Sequence, residues 1–168
     1  MNIKLKGLVQ VSLLIAMEIV LSRFMSISTP ILRIGFGFVP IAICAIMFGP
    51  IWAGIAGAMA DFLGATLFSA GTYFPGLTLS AALVGIVFGL FLYKRKEGWL
   101  PLAGAVAINC LIISLFLNTY WLTILMGKGF MVLLPVRFVQ NLIMIPIQFF
   151  VIRLLQKPIA IYAQKQAV

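Results

Sequence analysis

The last long apolar segment of this sequence carries Arg137, Gln140, Asn141 and Gln148, spaced i, i+3, i+4 and i+11. That spacing sets all four on one side of a helix, as a polar stripe on an oily element. A guanidinium inside a bilayer costs about 3 kcal/mol or more unless a partner meets it, so the stripe reads as a functional site. Its chemistry is recognition. An arginine offers a fixed fork of donors to a carboxylate or phosphate, and the neighbouring amides both donate and accept.

Other groups fit the same chemistry. Asp61 and Glu18 are the two acidic residues within apolar segments. Asp61 is suited to accept two parallel N–H bonds from an amino-heterocycle, or to pair with Arg137. Arg23, Arg33, Lys128 and Arg137 offer positive charge, Asn118 an amide, and Tyr73, Phe74, Tyr120, Trp121 and Phe138 flat faces for stacking. Together they suit a planar, partly anionic ligand. Each also has a plainer reading. Asp61 and Arg137 can be a structural ion pair. Tyr73, Trp99, Tyr120 and Trp121 can be interfacial belt residues, Arg23 and Lys128 topology anchors, and Glu18 a snorkelling partner of Arg23.

No catalytic constellation accompanies these groups. The sequence has no histidine and two cysteines, Cys44 and Cys110, both in apolar segments and read as packing residues. A metal cluster, a His-based triad and a Gly-rich phosphate loop ending in Lys-Ser/Thr are all missing, so no cofactor is implied and no Walker-type use of ATP is open to the chain. Any uphill work must be driven by partners.

The positioning elements follow from hydropathy. Of 168 residues, 64% are hydrophobic and 9% charged, a balance that cannot cover a soluble domain with polar surface. The expectation is an all-α integral membrane protein, one domain over residues 1–168. The segment after Lys4 and Lys6 lacks a small-residue cleavage site and reads as a span rather than a leader. Six apolar segments are expected, near Leu8–Ser22, Ile34–Phe48 (short, with Pro40), Ile51–Phe68, Leu77–Tyr93, Trp99–Trp121 and Phe130–Leu155. Pro135 and Pro146 are expected to bend the last one. The net charge of +9 is scattered between these segments as topology signals are, which argues against a nucleic-acid partner.

With both termini cytoplasmic, Lys4, Lys6, Lys94, Arg95, Lys96, Arg153, Lys157 and Lys165 lie inside, and Arg23, Arg33 and Lys128 lie outside, in keeping with the positive-inside rule. Depth then sorts the polar groups. Glu18, Ser22, Arg23, Asp61, Thr66, Thr78, Ser80, Ser114, Asn118, Tyr120, Arg137, Gln140 and Asn141 fall in the outer half. The inner half keeps Gln10, Gln148 and, near the midplane, Asn109. A pore needs polar lining throughout, and a proton-coupled carrier usually carries carboxylates or histidines at the midplane. The distribution points to a cup open outward and closed below.

Small residues recur four apart. Ala53, Gly57, Asp61 and Ala65, and Ala81, Gly85 and Gly89, read as close packing within the bundle. Ser12 and Ala16 in the first helix read as a face that docks another protein.

The runs Arg33-Ile-Gly-Phe-Gly-Phe-Val-Pro-Ile-Ala, Phe48-Gly-Pro-Ile-Trp-Ala-Gly, Ala60-Asp61-Phe-Leu-Gly-Ala and Tyr73-Phe-Pro-Gly-Leu-Thr-Leu-Ser-Ala resemble the S components of energy-coupling factor (ECF) vitamin transporters, and more narrowly the folate-specific ones. The resemblance covers nearly the whole chain. It implies six transmembrane helices with both termini cytoplasmic, in a bacterial cell membrane. It also implies an outward pocket for a vitamin, and partners in the form of a transmembrane scaffold subunit and two ATPase subunits. S components are thought to topple in the membrane to deliver the vitamin. The family's small-residue pattern on helix one matches Ser12 and Ala16, with Ser in place of the usual Ala. Folate suits the expected site: its pterin edge matches Asp61, and its two carboxylates match Arg23, Arg33 or Arg137. The expected binding residues are therefore Arg23, Arg33, Asp61, Tyr73, Phe74, Asn118, Arg137, Gln140 and Asn141. An S component for riboflavin or thiamin, a small self-assembling exporter or channel, and an intramembrane enzyme are the competing readings.

Overall fold

The structure, a computed structural model, describes residues 3–24, 26–28, 33–68, 73–93, 98–127 and 129–166. Helix α1 (Ile3–Arg23) leads into a ribbon of two antiparallel strands, β1 (Ser26–Ser28) and β2 (Arg33–Gly35), with Ile27 paired to Ile34. Helices α2 (Phe38–Phe48), α3 (Pro50–Leu67) and α4 (Pro75–Leu92) follow. Next come α5 (Trp99–Ala107), a π-helical stretch (Ile108–Leu117), α6 (Asn118–Met126) and α7 (Phe130–Gln166). The run from α5 through α6 is one span of 28 residues. The Lys94–Glu97 turn and Lys128 lie outside the described residues.

Among the described residues five stretches are long and apolar enough to cross a membrane: Leu5–Arg23, Pro50–Leu67, Pro75–Leu92, Trp99–Met126 and Phe130–Gln156. The second expected span is different. Its helix holds only 11 residues, roughly 16 Å against a hydrocarbon core of roughly 30 Å. Ile34 and Gly35, expected to open that helix, belong to β2 instead. Pro40 explains the late start. A helix beginning at Ile34 would need the Pro40 nitrogen to donate to Phe36. Starting at Phe38 leaves Pro40 in the first turn, where no N–H is required. The helical bundle is as expected, with one short ribbon added between α1 and α2.

The short α2 is nevertheless central. It packs against α1, α3, α4 and α7 and buries Phe38, Pro40, Ile41, Ala42, Cys44 and Ala45. Its composition suits this place, since a helix apolar on every side belongs inside a bundle. Cys44 and Cys110 are both buried and free, as packing residues are.

The tightest seam joins α3 to α4. A Cβ on Gly85 would fall on the Ala53 carbonyl, and one on Gly89 on the Pro50 backbone. Only glycine lets the two backbones come this close, so these small-residue repeats serve intramolecular packing.

The helices alternate in direction, which defines two ends. At the ribbon end, Arg23 lies over Gly64 of α3, and Trp121 of α6 lies over Gly76 of α4. At the opposite end, Phe48 approaches Gly7 and Tyr93 approaches Gly49. Arg153, late in α7, sits toward that second end and is exposed, as is Lys6.

Candidate functional site

The stripe on α7 is buried as its spacing predicts. Arg137, Gln140, Asn141 and Gln148 are 8%, 5%, 3% and 6% exposed, while Val136, Phe138, Val139, Leu142 and Ile143 around them are open. The stripe divides in two. Toward the opposite end, Gln148 Oε1 accepts from Asn109 Nδ2 at 2.9 Å and from Cys110 Sγ at 3.5 Å. This ties α7 to the π-helical stretch. Toward the ribbon end, Asn141 Nδ2 donates to the Arg137 carbonyl at 2.9 Å, and Arg137 Nε is buried with no partner.

Asp61 and Arg137 do not pair; among the described residues no ion pair joins them. Asp61 instead accepts from Thr78 Oγ1 at 2.8 Å, across the α3–α4 seam. That hydroxyl holds the carboxylate in a set orientation. The Arg23 guanidinium sits over Gly64, three residues after Asp61 and so on the same side of α3. Arg23 Nε is likewise buried without a partner.

A third group lies where α4 begins. Phe74 caps α4 and stands 5.6 Å from Trp121, centroid to centroid, and Tyr120 stands 5.2 Å from Trp121. Tyr73 packs edge-on to Phe62 at 5.6 Å and is partly open, at 38% exposed. Trp121 Nε1 and Asn118 Oδ1 are both buried without partners. Phe138 and Tyr120 are exposed; Phe138 has its ring on the outer side of α7, away from the buried stripe.

The structure thus places Arg23, Asp61, Phe74, Asn118 and Arg137 at or toward the ribbon end, with Tyr73 at its edge and Gln140 buried beside Arg137. Arg33 opens β2, pairing by its backbone with Ser28; its side chain lies outside the described residues. Ser12 and Ala16 are exposed on a face of α1 that also shows Leu5, Leu8, Val9, Leu13, Met17 and Val20, whereas Val11, Leu14 and Ile19 turn to the core. Ser12 Oγ is satisfied by the Leu8 carbonyl at 3.0 Å, which leaves that face apolar. Sequence reading passed over Thr78 as the donor to Asp61. It gave Trp121 two roles without choosing. The signal available for Trp121 was its i+3 spacing from Asn118.

Buried donors and acceptors without partners are destabilising by about 1–3 kcal/mol each. Arg23, Asn118, Trp121 and Arg137 hold such atoms toward the ribbon end, beside the aromatic faces, and Gln10 and Gln156 hold others toward the opposite end.

The family described as "ECF transporter, substrate-specific component" matches residues 6–155. The folate transporter FolT of Clostridium novyi (strain NT) is 46% identical over 149 residues, covering 89% of this chain and 87% of that protein. The folate transporter FolT of Leuconostoc mesenteroides is 32% identical over 146 residues, covering 83% and 78%. A solved structure of FolT bound with folic acid superposes with a TM-score of 0.87 at 34% identity, covering 91% of this chain and 93% of the other.

Proposed function

This chain belongs to the family of ECF transporter substrate-specific components, and from that membership we propose that it is the folate-binding subunit of a vitamin importer. It is a multi-pass membrane protein of five long apolar helices and one shorter helix. In the proposed arrangement it sits in a bacterial cell membrane as one unit, with both termini cytoplasmic and the ribbon end outward. The ribbon and α2 together make the second of six crossings. Exposed Lys6 and Arg153 at the opposite end support that orientation.

The observation that carries the reading is the set of buried, unpartnered polar atoms at the ribbon end: Arg23 Nε, Asn118 Oδ1, Trp121 Nε1 and Arg137 Nε. In this proposal the pterin lies deep, its amino-pyrimidinone edge toward the Asp61 carboxylate that Thr78 holds. The benzoyl ring runs past Phe74 and Tyr73, and the glutamate carboxylates meet Arg23, Arg33 or Arg137, with Gln140 and Asn141 bracing the arginine. Binding proceeds without chemistry on the vitamin; the scaffold subunit and two ATPases provide the work. The open apolar face of α1 around Ser12 and Ala16 supports a docking role toward the scaffold.

Calorimetric titration of the purified chain against folic acid, riboflavin and thiamin tests the substrate. The expected result is saturable 1:1 binding of folic acid alone; saturable binding of another vitamin with none of folic acid overturns it. For docking, Ala16→Trp is expected to abolish assembly with the scaffold while leaving folate binding intact. Normal assembly and uptake would remove that face from the interface.

A further inference from the structure

We infer that Asn118 and Trp121 act as a matched acceptor–donor pair that reads an amide-like group of the ligand through its N–H and its C=O. This rests on the folate reading and assigns one part of the ligand to one part of the site.

Four observations carry it. First, Asn118 and Trp121 are one turn apart on α6, a spacing that makes side chains neighbours at about 5–6 Å between Cβ atoms. Second, the two buried atoms without partners are of opposite kind: Asn118 Oδ1 accepts and Trp121 Nε1 donates. They do not satisfy each other, so a third group must lie between or beside them if both are to be met. Third, the indole is held in place. Phe74 and Tyr120 pack against it at 5.6 and 5.2 Å. Gly76, in the first turn of α4, leaves room that a Cβ would take, since such a Cβ would stand 2.5 Å from Trp121 Cδ2. A donor whose ring is packed in this way is pre-organised rather than searching for water. Fourth, the pair stands where α4 begins, beside Phe74, at the end that also holds the unpartnered Arg23 and Arg137 Nε atoms.

A membrane-belt tryptophan turns its N–H to the interface. The indole nitrogen here is buried and unmet, which a belt role does not explain. The chemistry matched by one acceptor and one donor is a secondary amide or a lactam. Folate contains both: the amide joining its benzoyl and glutamate parts, and the N–H/C=O edge of its pterin.

The test replaces each group without emptying the site. Trp121→Phe keeps a ring and removes the N–H; Asn118→Leu keeps the bulk and removes the acceptor. Each is titrated with folic acid, pteroic acid (which has the pterin and a benzoate but no amide) and free pterin. Unliganded thermal unfolding is followed in parallel. Each variant is expected to bind folic acid about tenfold more weakly while unfolding at or above the wild-type temperature, because a buried unmet group has been removed. If the pair reads the linking amide, pteroic acid binds both variants as it binds wild type. If it reads the pterin lactam, pteroic acid and pterin weaken in step with folic acid. Folic acid binding unchanged in both variants overturns the inference, and loss of unliganded stability in step with affinity shows a structural role instead. Should one variant fail to fold, the other decides alone. Wild type that binds no folic acid sinks the folate reading itself, a separate outcome.

Discussion

Two polar regions share the α7 stripe and its surroundings, and they are built oppositely. Near the middle of the bundle, Asn109, Cys110 and Gln148 satisfy one another. At the ribbon end, Arg23, Asn118, Trp121 and Arg137 each hold a buried atom that nothing meets. Both regions are buried, and both look alike as sequence. Polar groups that close on themselves stitch helices together, whereas the open ones at the ribbon end are those the proposed site would use.

The comparison can be broken or sharpened by substitution. The largest effect is expected in neither polar region but in the seam that supports both. Gly85→Leu drives a side chain into the Ala53 carbonyl and should destabilise the protein by about 3 kcal/mol or more, read as a fall in unfolding temperature in detergent. An unchanged temperature would mean that α3 and α4 are not so closely joined. Next comes the open region. Arg137→Ala should weaken folic acid binding by at least about 1.5 kcal/mol, roughly tenfold, with the unliganded fold intact. Unaltered affinity by calorimetry removes Arg137 from the site. In the closed region the effect should move from binding to stability. Gln148→Leu strands Asn109 and should destabilise by about 1–2 kcal/mol, while folic acid affinity stays within about twofold. The smallest effect belongs to the double replacement Asn109→Leu with Gln148→Leu, expected within about 1 kcal/mol of wild type because neither partner is left unmet. A double variant as unstable as the single one would refute mutual satisfaction as the purpose of that pair.

Much of this was legible in the sequence. Five of the apolar segments came from hydropathy, and the buried side of α7 from the spacing of Arg137, Gln140, Asn141 and Gln148. The glycines of α4 and the small residues of α3 read as close packing, and they pack on each other. The ribbon was missed because three-residue strands are too short to show an alternating pattern, and because Ile34 is apolar enough to extend a helix on paper. The π-helical stretch Ile108–Leu117 leaves no mark in hydropathy; the register that brings Asn109 to Gln148 exists only once α7 is docked. Thr78 and Asp61 are 17 residues apart and meet only because α3 and α4 run antiparallel in close contact. Whether a buried amide or indole is met or unmet is a property of packing, so composition alone left Trp121 undecided between belt and site.

A structure of this chain with folic acid bound tests the central claim most directly. The ligand is expected at the ribbon end, with its polar atoms within hydrogen-bonding distance of Arg23, Asn118, Trp121 and Arg137 and its rings beside Phe74. The Asn109–Gln148 bond should be unchanged. Folic acid seated elsewhere, or seated there with those four groups still unmet, would contradict it.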